Sequence, residues 1–289
     1  MTSVAVVTDS TADIRGELAA RLDVSVVSLS VVYADGKSVP ESELTDLAAY
    51  WRKLADLSHL PTTSQPSVGA FTECYEPLLA AGKDIVSVHI SGDLSGTLDS
   101  ARLAAETLAE KYPDRTIRLC DSRSAGGGLA MVALAAYAAA ARGENVESVG
   151  AAADQAAEQA QIWFAVESLE HLRRGGRIGS AQAWLGTALK IKPILTCEGE
   201  ITPIERVRTS KRAFERMVAF AEQLRDEGKT SWVVQHIQAP SEAALLVDRA
   251  TEILGTEPLL VSEVGPVIGT HVGPGLLGIG GLPPITLPD

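Results

Sequence analysis

The feature that most constrains this chain is the way its first half repeats one unit: a short apolar run, a loop rich in Ser, Thr and Gly, then a helical spacing. Residues 4–7 are apolar and break at Thr8, Asp9, Ser10 and Thr11, after which Ile14, Leu18 and Leu22 recur at helical spacing. Residues 24–33 read as one strand, stopped by the turn pair Asp35 and Gly36. Two helices follow, with stripes Leu44, Leu47, Trp51, Leu54 and Val68, Phe71, Tyr75, Leu78, separated by a proline-bounded, hydroxyl-rich loop at residues 59–67. Residues 85–90 and 116–120 complete the strands, each leading through a polar loop (91–97 and 121–128) into a helix. The helix at 129–141 is apolar all round and should be buried on most sides. Regular β-α alternation of this kind predicts a doubly wound parallel sheet, whose ligands bind beyond the carboxyl ends of the strands. The three polar loops at 8–13, 91–97 and 121–128 would lie there.

The second half has another rhythm. Strands are expected at 161–166, 191–197, 201–207, 232–237, 259–264 and 276–279, with helices marked by Phe214, Met217, Ala221 and Leu224 and by residues 243–254. The pair around Glu198, Gly199 and Glu200 looks like a hairpin. The order predicts an α+β domain with a mixed sheet and helices on one face. At 289 residues the chain is long enough for two domains. The expected division is 1–160, a Rossmann-like α/β domain, and 161–289, the α+β domain, packed around a shared cleft.

Composition excludes several classes of function. A net charge of −12 argues against nucleic acid as a partner. Cys74, Cys120 and Cys197 are odd in number and far apart, which points to reduced, packed thiols and away from zinc or disulfides. The N-terminus lacks a basic start followed by an apolar signal segment, and the 13 apolar residues at 129–141 fall short of the ~20 needed to span a bilayer. The expectation is a cytoplasmic protein with at most transient membrane contact. No Gly-x-Ser-x-Gly elbow, P-loop or dinucleotide fingerprint is present, so neither a catalytic residue nor a cofactor is expected.

What remains is a set of hydrogen-bond donors. Ser95, Gly96 and Thr97 stand where a strand turns into a helix, a place suited to an anion. Ser95 or Thr97 could equally cap that helix, and spacing alone favours the simpler use. Residues 62–67 (TTSQPS) offer Thr62 and Thr63, with Ser67 accounted for as a helix cap. Asp9 has no second carboxylate beside it, so a metal is not expected. Residues 172–179 (LRRGGRIG) hold three arginines, Arg177 among them, fit either for pairing with a ligand's carboxylate or phosphate or, in a surface loop, with the many acids nearby, and the two readings weigh equally. Lys190, Lys192, Arg206, Arg208, Lys211 and Arg212 add positive charge. Residues 265–275 (GPVIGTHVGPG) frame His271 with four glycines and two prolines, a prescribed path that suggests a placed hydrogen-bond donor. His59, His89, His171 and His236 lack such a frame and are read as structural.

Seven strings in order give the chain a resemblance to the DegV family over nearly its whole length: TDSTAD at 8–13, TTSQPS at 62–67, HISGDLSGT at 89–97, DS at 121–122, GGRIG at 175–179, LKIKP at 189–193 and GPVIGTHVGPG at 265–275. The resemblance implies a long-chain fatty acid buried between two α/β domains, its carboxylate held by Thr62 or Thr63 and by Ser95, with Arg177 and His271 in the surrounding polar network. It also implies a carrier that presents the lipid to a separate fatty-acid kinase subunit for conversion to acyl phosphate. Asp93, beside the expected anion site, departs from the family pattern, as does the Pro-rich tail at 281–289. A reading from another class is an enzyme related to dihydroxyacetone kinase substrate domains, in which His271 would attach a small ketone covalently.

Overall fold

The computed structural model describes residues 3–14, 16–54, 60–185 and 191–288. His59, Leu189 and Lys190 lie outside them. In chain order the elements begin β1 (Val4–Asp9), α1 (Gly16–Arg21), β2 (Val24–Val27), β3 (Ser30–Val32), β4 (Ser38–Pro40), α2 (Leu47–Leu54), β5 (Thr62–Ser64) and α3 (Val68–Ala80). They continue with β6 (Asp84–His89), α4 (Thr97–Ala109), β7 (Ile117–Asp121), α5 (Gly127–Ala141) and α6 (Val146–Gln159). The second half contains β8 (Gln161–Ala165), α7 (Glu170–Arg174), β9 (Lys192–Glu198), β10 (Glu200–Val207) and α8 (Ser210–Asp226). It ends with β11 (Ser231–His236), α9 (Pro240–Leu254), β12 (Leu260–Glu263), α10 (Pro266–Val272) and β13 (Leu277–Leu282).

The predicted parallel sheet is present, with order β2-β1-β6-β7 and every pair parallel. All six residues of β1 are buried, as a strand covered on both faces requires. The mixed sheet of the second half has order β10-β9-β8-β13-β11-β12 and is antiparallel except between β11 and β12. The β9–β10 hairpin turns at Gly199, whose φ of 89° needs glycine. Helices α8 and α9 cover one face of this sheet, packing Phe220 and Leu246 with Trp232 and Val234. The apolar helix α5 lies between the two sheets, so its residues share a core with β1 and β6 on one side and with Val233 on the other. That position explains a helix without a polar face.

Four segments differ from expectation. Residues 24–33 are two strands rather than one: the Leu29 N–H donates to Ser10 Oγ and Ser28 Oγ accepts from the Ser42 N–H, which takes the chain out of the parallel sheet. β3 then forms a small antiparallel sheet of order β4-β3-β5, and residues 62–64 are its strand β5 rather than part of a loop. Residues 266–272 form the helix α10. Pro266 starts it, at a position where a missing N–H costs nothing, and Gly273, at φ 78°, ends it. Glycine at 269 is demanded by packing, since a methyl group built there would lie 2.1 Å from the Trp51 ring. Helix α6 (Val146–Gln159), which the spacing does not announce, is capped by Asn145. The segment from Leu29 to Leu54 packs on the second half, where Val31, Tyr50 and Trp51 share a core with Val264 and Val267.

Candidate functional site

Helix α10 is fixed by contacts that reach far along the chain. Asp13 accepts from the Gly265 N–H and Glu41 from the Val267 N–H, so two buried carboxylates face the helix start, where orphan donors and the helix dipole favour negative charge. The Tyr50 hydroxyl meets Thr270 Oγ1 at 2.5 Å, and Trp51 Nε1 donates to Glu263 at 2.9 Å. These contacts carry the last turn, with His271, to the edge of a cavity.

That cavity is entered between β5, the loop after β6, the loop after α7, and α10. Its polar lining is Thr63, Gln65, Ser95, Arg177 and His271; the rest is mostly aliphatic, including Ile90, Leu94, Val267 and Ile268. It shares Ala125, Ile201, Ile268 and Val272 with a second compartment that lies against the mixed sheet and α10, along Ile162, Phe164, Val264 and Leu276. Together they have the form of a small-molecule site, with apolar walls and a few convergent polar groups at one end.

The predicted residues divide between mouth and surroundings. Thr63 faces inward, opposite the buried Val31 in the register, and its Oγ1 lies 2.8 Å from His271 Nε2. Thr62 precedes it on the same strand, so it points the other way and is exposed. Ser95 lines the cavity, and its Oγ is 2.8 Å from Thr97 Oγ1. Thr97 itself is fully buried behind it, in the first turn of α4. Gly96 lets the Gln65 amide approach closely: a methyl group built there would lie 2.6 Å from it, so Gln65 would have to swing away. Arg177 ties the mouth together, donating from Nε to the Leu94 carbonyl at 3.3 Å and from Nη1 to the Gly175 carbonyl at 2.8 Å. Burial, and then the Arg177 charge, push the pKa of His271 down to about 4, so the imidazole is neutral at pH 7. The mouth thus combines one fixed positive charge with hydroxyl and imidazole groups.

Other singled-out residues fall elsewhere. Asp93 lies against the hairpin turn, its carboxylate 2.9 Å from where a Gly199 side chain would begin, and does not line the cavity. Asp9 is fully buried and accepts from Thr11 and from the Ile90 N–H, with His89 Nδ1 3.1 Å away; His89 Nε2 meets Ser87, which meets Tyr75. This chain of contacts sets the end of β6 from which the Ser95 loop departs. Among the described residues no group of three or more His, Cys, Asp or Glu is placed to hold a metal ion. Arg173 and Arg174 pair with Glu170, Lys192 with Glu167, Arg212 with Glu215, and Arg206 stacks over Trp184. Cys197 lines the inner compartment, and burial pushes its thiol up to about 12. Among the described residues no helix is long and apolar enough to cross a membrane.

Sequence reasoning missed Gln65 and the pair Asp13 and Glu41. Gln65 was visible inside the TTSQPS string. Asp13 was likewise visible at the end of the TDSTAD string, but its role was not, and Glu41 gave no signal, because their partners are more than 200 residues away.

A parallel and a mixed sheet, with adjoining apolar compartments that open at a cationic, hydroxyl-bearing end, place the chain among α/β proteins with a pocket of the small-molecule kind. More narrowly, the chain belongs to the DegV family: the model of that family, described as "uncharacterised protein, DegV family", matches residues 3–283. A DegV domain-containing protein of Clostridium perfringens is 39% identical over 279 residues, which are 96% of this chain and 98% of the relative. Among solved structures, a DegV family protein from Thermus thermophilus described by its fatty-acid binding is similar with a TM-score of 0.87 and 34% identity, over 98% of this chain and 100% of that one. A stearic acid-binding protein from Eubacterium ventriosum is similar with a TM-score of 0.89 and 25% identity, over 97% and 98% of the two chains.

Proposed function

We propose that this protein binds one long-chain fatty acid, with the tail in the inner compartment and the carboxylate at the mouth among Thr63, Ser95, Arg177 and His271. The observation that carries the reading is the change of lining between two adjoining compartments, from hydroxyl, imidazole and guanidinium groups at the opening to mostly apolar side chains in the inner one, which shares Ala125, Ile201, Ile268 and Val272 with it. Burying a methylene contributes about 0.8 kcal/mol, so each methylene taken up against the apolar walls adds to the affinity before the costs of association. A carboxylate taken from water needs paired charge and hydrogen bonds, which Arg177 and the two hydroxyls supply. The fatty acids named for the two solved relatives favour the same ligand class.

In this reading residues 1–160 supply the Thr63 and Ser95 side of the cleft and 161–289 the Arg177 and His271 side. The protein is a carrier without chemistry of its own. It presents the carboxylate, which lies at the opening, to a separate kinase subunit that forms the acyl phosphate in the cytoplasm. Covalent attachment of a ketone to His271 fits less well. Nε2 is engaged by Thr63, Nδ1 lies against Gly175, and an apolar inner compartment has no use for a small polar adduct.

Titration of the delipidated chain with a C18 acid and its methyl ester, followed by native mass spectrometry, tests the binding. One acid per chain with the ester far weaker is the expected result, and equal uptake of both would reject the carboxylate site. Acyl hydroxamate trapping, with ATP and a fatty-acid kinase subunit, tests the carrier role. A product that requires this chain is expected, and no product would remove the kinase from the account.

A further inference from the structure

We propose that Gly175 is the positioning residue of the head-group site: the absence of its side chain seats the His271 imidazole, while its carbonyl holds the Arg177 guanidinium. The inference rests on the fatty-acid reading above and deepens it. Gly175 ends α7 with φ −74° and ψ −7°, a conformation open to any L residue. Alanine would ordinarily be preferred over glycine in such a helical turn. The backbone therefore does not explain the glycine.

The neighbours do. A methyl group built on Gly175 would lie 2.2 Å from His271 Nδ1 and 3.1 Å from Cε1. Gly176 is the opposite case, with φ +68° and open space around it, so its glycine answers to the backbone. Gly273 packs against His171 in the same manner as Gly175 against His271, at 2.6 Å, but its φ of +78° already requires glycine. At Gly175 the packing demand stands alone.

The clash has one soft side. Helix α10 is held by Asp13, Glu41, Tyr50 and Trp51, so its backbone resists displacement. The imidazole can turn, and turning breaks its 2.8 Å contact with Thr63. Nδ1 faces Gly175 without a hydrogen-bond partner among the described residues, which leaves Nε2 as the nitrogen on the cavity side. The Gly175 carbonyl also accepts from Arg177 Nη1 at 2.8 Å. One residue thereby sets both the imidazole and the guanidinium of the mouth.

A double-mutant cycle in the full delipidated chain tests this, with oleic acid and methyl oleate as probes. Gly175→Ala should weaken oleic acid binding about 10-fold, a coupling usual for residues in contact, and leave methyl oleate unchanged. In the His271→Ala background, where the nearest remaining atom is the His171 carbonyl oxygen at 3.2 Å, the same change should cost less than about 2-fold. The imidazole nitrogen NMR signals of His271 should shift in Gly175→Ala. Should Gly175→Ala fail to fold, recovery of folding in the double variant would support the clash, and failure of both would overturn it. Equal losses with and without His271, or wild-type affinity in Gly175→Ala, would also overturn it. If the wild type takes up no oleic acid, the lipid reading fails, and an unshifted imidazole would then independently reject the seating of His271.

Discussion

Ser95 stands just before α4, where no side chain caps the helix; its hydroxyl is shared with Thr97 Oγ1 and lines the cavity, so it is available to a ligand. Ser95→Ala should weaken fatty-acid binding by about 1–3 kcal/mol, the cost of leaving a buried acceptor short of a donor. A displacement titration with a fluorescent fatty acid would read this, and unchanged affinity in a folded variant would remove Ser95 from the site. The same titration separates two adjacent threonines: Thr63→Ala should weaken binding, while Thr62→Ala, on the exposed face of β5, should not. His271 adds a pH dependence of known sign. Its pKa is about 4 in the folded chain against 6.5 unfolded, so folding favours the neutral ring. The stability it contributes is complete above about pH 6.5 and is lost as the pH falls toward about 4. His171, also pushed down by burial, acts in the same direction. Urea unfolding at pH 7 and pH 4.5 should therefore show a smaller loss in His271→Gln than in wild type, and equal losses would contradict the assignment.

Helix α10 is the element on which the site depends, and it was the least legible in the sequence. Strands buried on both faces, such as β1 and β6, are readable because they are short, mostly apolar runs that end at polar loops. The strands of the mixed sheet and the amphipathic helices α8 and α9 are readable for the same local reason. The short α10 carries no such period: Pro266 and Gly269 look like loop residues until Trp51, more than 200 positions earlier, is brought against Gly269. The split of residues 24–33 into β2 and β3 was hidden likewise, because it depends on side-chain bonds from Ser10 and to Ser42. Ser95, Arg177 and His271 were recognisable from the loops that hold them, whereas the choice between Thr62 and Thr63 needed the strand register. Gly269→Ala should drive a methyl group into the Trp51 ring and destabilise the fold by about 1–3 kcal/mol, with a matching loss of head-group binding. Thermal unfolding of the variant checks this, and a midpoint equal to wild type would mean that α10 can shift away from Trp51.

At the scale of the whole molecule, two sheets with α5 between them leave a cavity that neither sheet encloses alone. Its walls come from both halves, Ile90 and Leu94 from the first and Ile201, Ile268 and Val272 from the second. A ligand filling this space should hold the halves together and stabilise the folded chain by RT ln(1 + [L]/Kd), about 2.7 kcal/mol at a hundredfold excess over Kd. Oleic acid should therefore raise the unfolding midpoint of wild type, and it should do so less for Ser95→Ala. The central claim, that the cavity is a fatty-acid site, is tested most directly by denaturing mass spectrometry of the purified chain together with organic extraction. The account predicts an unmodified protein mass and about one extractable long-chain fatty acid per chain. A covalent adduct on His271 with no extractable lipid would contradict it.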